Sequence, residues 1–143
     1  MGLKNSSITD KDYINVTAAI IRKGEEVLIT KRAQNQPFPG KWEFPGGKID
    51  LDETLENCLT RELLEELGIK IRVEEPFLVY EYDYNRPDGK RHRIFSFWCR
   101  ILEGEPSLRV HDSATWVRMK DLLGFDFIEA DKQLVDLLLK NMV

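Results

Sequence analysis

GKIDLDETLENCLTRELLEELGI, residues 47–69, decides most of the fold. Leu55, Leu59, Leu63 and Leu67 recur every four residues, which makes one apolar stripe at helical spacing, so Glu53 to Leu67 is expected to form a helix that buries this stripe. Gly68 stops it, as a left-handed C-terminal cap. At the other end Asp50 or Asp52 can accept backbone N–H bonds, and Glu53, three residues after Asp50, has the spacing of a capping box. Glu62, Glu65 and Glu66 stand at i, i+3 and i+4, so their carboxylates leave one side of the helix beside the leucines. Like charges so placed destabilise a helix by about 0.2–0.5 kcal/mol per pair, and Arg61, four before Glu65, is the obvious relief. Such a cluster is either a solvated acidic face or a site for a hard cation such as Mg²⁺, which takes oxygen ligands and bridges carboxylates to phosphates.

On the N-terminal side, 13–22 (YINVTAAIIR) is rich in β-branched residues and 26–32 (EVLITKR) alternates, with Lys23-Gly24-Glu25 between them, so the chain is expected to open with a hairpin. A loop from Gln34 to Lys41, with Pro37, Pro39 and Gly40, leads through Trp42-Glu43-Phe44 to Pro45-Gly46-Gly47, whose glycine pair is expected to make a tight bend. On the C-terminal side, 69–84 and 91–102 read as strands joined by the turn Asn85-Arg86-Pro87-Asp88-Gly89. Gly104-Glu105-Pro106 breaks the second of them, 114–119 reads as a short strand, and 130–141 (ADKQLVDLLLKN) as a closing amphipathic helix. The order of elements is that of an α/β protein with a mixed sheet and helices packed on it.

The whole chain, 143 residues, fits one domain, 1–143, with 1–12 as a flexible N-terminus. Lys and Arg number 21 against 25 Asp and Glu, a net charge of −4, which argues against binding nucleic acid polymers through their backbone phosphates. No apolar run is long enough for a membrane span, and the first dozen residues lack the core of a secretory signal, so the expected compartment is the cytoplasm. Cys58 and Cys99 are expected to be small core residues. Met1-Gly2 with Ser6 matches the myristoylation pattern, and Asn5 and Asn15 the glycosylation pattern, but neither short pattern is taken as functional here.

Gly47, Glu53 and then Arg61-Glu62-Leu63-Leu64-Glu65-Glu66-Leu67-Gly68-Ile69 match every fixed position of the Nudix box, G-x5-E-x7-R-E-U-x-E-E-x-G-U with U aliphatic. These are nine constrained positions in 23 residues. Upstream, Lys41-Trp42-Glu43-Phe44-Pro45-Gly46-Gly47-Lys48-Ile49 resembles the MutT-like branch, and the order of elements agrees from about residue 14 to 140. The resemblance implies an α/β/α sandwich with a central mixed β-sheet. It also implies Mg²⁺-dependent cleavage, with Mn²⁺ as a possible substitute, of a pyrophosphate bond in a nucleoside triphosphate, giving the monophosphate and pyrophosphate. Carried over by position, Glu62, Glu65 and Glu66 are metal ligands, with Glu62 also the general base, and Glu53 binds metal indirectly or positions water. Arg61 is expected to orient a glutamate, and Gly47 to be conformational. Arg32 and Lys48 face either the polyphosphate, as their MutT-like counterparts do, or solvent. Lys90-Arg91-His92-Arg93 is expected to be a solvated hairpin end.

Two positions depart from the family pattern. Many relatives carry a further metal-binding Glu before the His of an E-H-x4-W pattern; here His111 and Trp116 stand at that spacing but the preceding residue is Val110, so either His111 or Asp112 replaces the ligand or the site holds fewer metals. In MutT an Asn at the start of the last helix reads the purine edge, whereas the matching residue here is Asp131, which accepts hydrogen bonds and donates only when protonated. Phe44 and Phe127 stack on the base or belong to the core. The expected partner is a nucleotide, with the chain a monomer or homodimer. An enzyme for ADP-ribose or another nucleoside diphosphate derivative is the competing activity, and a non-catalytic nucleotide sensor the competing class. Sensors tend to lose glutamates of the box, and this chain keeps all four.

Overall fold

The computed structural model describes residues 12–141, so the readings made at residues 1–11 lie outside the described residues. Strand β1 (Tyr13–Lys23) turns at Gly24 into β2 (Glu26–Lys31), as the alternation predicts. Two short strands follow, β3 (Trp42–Glu43) and β4 (Gly46–Lys48), then helix α1 (Leu55–Leu67). The long hairpin of β5 (Lys70–Tyr82) and β6 (Arg91–Glu103), strand β7 (Ser113–Arg118), a 3₁₀ helix at Met119–Gly124 and helix α2 (Glu129–Lys140) complete the order.

The strands form one mixed sheet in the order β3-β2-β1-β6-β5, with β4 on β1 and β7 on β2. β1 and β6 are parallel from Tyr13 opposite Arg91 to Ile21 opposite Cys99. The other edge of β1 is divided: Val16–Ala18 pair with β4, and only Arg22 and Lys23 with β2. β2 thus leaves β1 beyond the hairpin and takes β7 as its antiparallel partner along its full length.

β1 is apolar on both faces, as a strand covered on both sides must be. Ala18 and Ile20 pack towards α2 with Val27, Ile29, Leu134, Val135 and Leu138, whereas Ala19 and Ile21 pack towards α1 with Leu28, Leu59, Leu63, Leu67 and Phe97. Each of the three buried α1 leucines contributes roughly 1.5–3 kcal/mol by leaving water. Cys58 and Cys99 are buried and free, in line with their reading as core. The result is the α/β/α sandwich with a central mixed sheet. Among the described residues no helix is long and apolar enough to cross a membrane.

Two local expectations are corrected. α1 begins at Leu55, capped by Thr54, whose hydroxyl accepts the Asn57 N–H at 3.1 Å, so neither Asp50 nor Asp52 is the cap. The Asp50–Glu53 pairing exists one turn earlier: Glu53 accepts the Asp50 N–H at 2.9 Å and donates its own N–H to the Asp50 carbonyl at 3.1 Å. Gly46 and Gly47 lie in β4 with ordinary backbone angles, so they mark a close approach rather than a bend. A Cβ on Gly46 would strike the Thr17 carbonyl of β1, and one on Gly47 would strike the Glu62 carboxyl of α1.

Candidate active site

The glycine approach presses α1 against β4 and fixes where its glutamates stand. Arg61, turned towards the preceding loop, donates from Nε to Glu53 Oε2 at 2.6 Å, from Nη2 to Glu53 Oε1 at 3.0 Å and from Nη1 to Glu65 Oε1 at 3.1 Å. The same Nη1 lies 3.2 Å from Glu62 Oε2. Hydrogen bonds from Arg61, helped by the Asp50 N–H, hold the Glu53 carboxyl down at about 2, and the bond to Glu53 raises Arg61 in return. Arg61 therefore ties Glu53, Glu62 and Glu65 together.

Glu66 is in a different environment. Burial, a hydrogen bond with Glu62 and the charges of Glu62, Glu43 and Glu65 push its carboxyl well above the usual carboxylate range. Among the described residues no three His, Cys, Asp or Glu side chains converge as a closed coordination shell. What converges is a pair of carboxylates, an open set of oxygen donors. Such a set suits a hard divalent cation that keeps several waters and is completed by phosphate oxygens, and does not suit a closed zinc site.

A cavity of about 440 Å³ opens beside the pair, with Gly47, Glu66, Glu43 and His111 in its lining. This is within the usual size of a small-molecule site. Glu43, on β3, accepts Arg32 Nη1 at 2.9 Å through one oxygen and sits 3.2 Å from His111 Nε2 through the other. His111 Nε2 is 3.9 Å from Glu66 Oε1, so the buried imidazole stands between two carboxylates. Arg32, just past β2, also donates to the Pro37 carbonyl at 2.6 Å, which leaves its guanidinium at the cavity wall.

Asp131, the third residue of α2, is buried and accepts the Phe44 N–H at 2.9 Å. Burial raises its carboxyl to about 7, and the bond from Phe44 only partly offsets this. The folded pKa lies above the unfolded value near 3.9, so the native state binds the extra proton between about pH 4 and 7 and loses stability as pH rises through that window. Asp131→Asn keeps an oxygen for Phe44 and removes the titration. Urea unfolding at pH 5 and pH 8 should show a smaller loss at the higher pH in the variant, by a few kcal/mol at most; equal losses would reject the shift.

Of the residues expected from sequence, Glu66, Gly47, Arg32 and Asp131 line one cavity, and Glu62, outside the lining, has its carboxyl packed over Gly47. Glu53 and Glu65 are joined to Glu62 through Arg61 instead. Lys48 is exposed and outside the lining; its carbonyl accepts Arg61 at 3.4 Å. Of the alternatives at the missing ligand, His111 reaches the cavity and Asp112 is exposed. Phe44 stacks on Phe127 with centroids 5.4 Å apart, both are buried, and only Phe44 is among the lining residues. The Lys90–Arg93 stretch is not a uniformly solvated end: β6 starts at Arg91, so His92 turns into the cavity lining and Arg93 packs over Tyr13 and donates to Asn15. Glu43, Phe38, Tyr84 and Arg86 also line the cavity and were not expected; only the alternation of β6 hinted that this hairpin faces inward.

Known proteins resemble this chain over most of its length. The family model described as NUDIX domain matches residues 12–138. The chain is 35% identical over 136 residues to the 8-oxo-dGTP diphosphatase of Haemophilus influenzae, covering 92% of this chain and 96% of that one. It is 29% identical over 123 residues to the CTP pyrophosphohydrolase of Escherichia coli, covering 86% and 89%. The crystal structure of the MutT protein from Methanosarcina mazei Go1 superposes with a TM-score of 0.79 at 26% identity, covering 90% of this chain and 94% of that one.

Proposed function

The chain belongs to the Nudix family, as a MutT-like pyrophosphohydrolase acting on nucleoside triphosphates, and on that premise we propose that the cavity beside α1 is the nucleotide site, with the phosphates at Glu62 and Glu66 and the base towards Asp131. The products are the nucleoside monophosphate and pyrophosphate, and the divalent cation of the family is here Mg²⁺, with Mn²⁺ as a substitute.

Glu66 in the cavity lining, with the Glu62 carboxyl packed over Gly47 of the same lining, carries this reading. Two carboxylates share a site only if a proton or a cation offsets their repulsion. When bound, the cation supplies positive charge against the phosphate oxygens and makes water more acidic. Glu62, held over the Gly47 backbone, takes the proton of the attacking water. The water oxygen forms a bond to phosphorus as the bridging P–O bond breaks, and the electron pair leaves with the departing phosphate oxygen. Glu53 has both oxygens engaged, by Arg61 and by the Asp50 N–H, so it acts by holding Arg61. Glu65 becomes a ligand only by leaving Arg61. Arg32 lies where it can meet phosphate oxygens, and Lys48 approaches them from the exposed side.

Incubation with canonical and oxidised nucleoside triphosphates and with ADP-ribose, followed by identification of products, tests the reading. Monophosphate and pyrophosphate should form from at least one triphosphate with Mg²⁺ and not after chelation. Turnover of ADP-ribose alone, or of nothing, would reject it.

A further inference from the structure

Two segments meet over the cavity away from the carboxylates: the loop after β2, through Phe38, and the end of the β5–β6 hairpin, through Tyr84. Their ring centroids are 5.6 Å apart with planes at 34°. Tyr84 is wedged edge-on against Tyr82 at 4.8 Å and His92 at 4.7 Å. Phe38 lies between two prolines at φ 55°, and Asn85, next to Tyr84, at φ 58°, a conformation that non-glycine residues hold only when their surroundings impose it. Phe38 is nevertheless half exposed. Both rings line the cavity.

Tyr84 lines the cavity together with Asp131, Arg32 and Glu43, whose charges act on its hydroxyl. The Tyr80 hydroxyl is buried beside the Asp131 carboxyl and interacts with it. The wall is also set apart from the carboxylates. His92 stands opposite Ile14 of β1 and Gly47 opposite Thr17, three residues further on, about 10 Å along the strand. That separation suits a nucleotide with phosphates at one end and base at the other.

We propose that Tyr84 is a specificity-determining residue: its ring, with Phe38, forms the wall on which the nucleobase stacks, and its hydroxyl stands with Asp131 at the hydrogen-bonding edge of the base. This rests on the reading of the cavity as a nucleoside triphosphate site. Stacking on an aromatic wall is tolerant of base identity, whereas a hydroxyl and a carboxyl at its edge discriminate by which base edge leaves them satisfied.

The test compares Tyr84→Phe, Tyr84→Ala and Phe38→Ala with wild type, measuring kcat and KM for triphosphates of all four bases and an oxidised purine, and calorimetric binding of the corresponding monophosphates. Tyr84→Phe should change the ranking of bases, entering through KM more than kcat. Phe38→Ala and Tyr84→Ala should raise KM for every base by about tenfold, the loss expected of a stacked base. Phe38 is exposed and Tyr84→Phe removes one atom, so these two variants keep the test decisive if Tyr84→Ala does not fold. Wild-type turnover with an unchanged ranking in Tyr84→Phe would overturn the assignment of Tyr84 alone. A wild type that binds and hydrolyses no nucleotide would overturn the underlying reading, and this proposal with it.

Discussion

Replacing Glu66 by Gln should lower cation-dependent hydrolysis by roughly a thousandfold while leaving the fold unchanged. A bound divalent cation supplies several kcal/mol of charge stabilisation to the transition state, and each 1.4 kcal/mol is a factor of about ten in rate. The amide keeps the size of the carboxyl but offers no anionic oxygen. The structural risk is small, because Glu66 is already pushed towards its neutral form by burial and by Glu62. Thermal unfolding without metal should therefore match wild type. Titration with Mn²⁺, followed by its spectroscopic signal, should show weakened binding independently of turnover. Wild-type turnover in the variant would remove Glu66 from the metal site.

Gly47→Ala should have the next largest effect, about a hundredfold in kcat. A Cβ at this position would occupy the space of the Glu62 carboxyl, and the side chain has to give way before the backbone of β4 does. Displacing a reacting group by about 1 Å can cost that much in rate. Because Glu62 is the end of a side chain and not buried backbone, Tm should fall only slightly. Gly46→Ala makes the contrast, since the added methyl would meet the Thr17 carbonyl of the central strand. A Gly47→Ala enzyme with normal kcat would show that Glu62 does not need its position over the glycine.

The sequence made the helix and its carboxylates legible because that information is local. Four leucines at fixed spacing, a glycine stop at Gly68 with φ 69° and the cluster of glutamates all lie within one segment. The long β5–β6 hairpin was readable for the same reason, from its turn residues. Strands β3 and β4, two and three residues long, show no periodicity and were missed. Thr54 caps α1 because Glu53 is drawn away to Arg61 and the Asp50 N–H, a competition that spacing alone does not reveal. The cavity wall was hidden most thoroughly. Phe38, Glu43, Tyr84, His92 and His111 come from different segments, and only the folded sheet brings them around one space.

The parallel pairing of β1 with β6 has a consequence for how this protein comes into being. Residues 13–21 hydrogen-bond to residues 91–99, nearly eighty positions away, and neither β4 nor β2 covers that edge of β1. During synthesis the most apolar strand of the molecule therefore waits with an open edge until residues 91–99 have left the ribosome. Closing so long a loop is entropically slow, and an exposed strand edge invites pairing with another chain in the interval. The cavity beside α1, walled on one side by β1 and on another by the start of β6, cannot exist before that closure. In the nascent protein, catalytic competence and escape from aggregation are reached in the same late step.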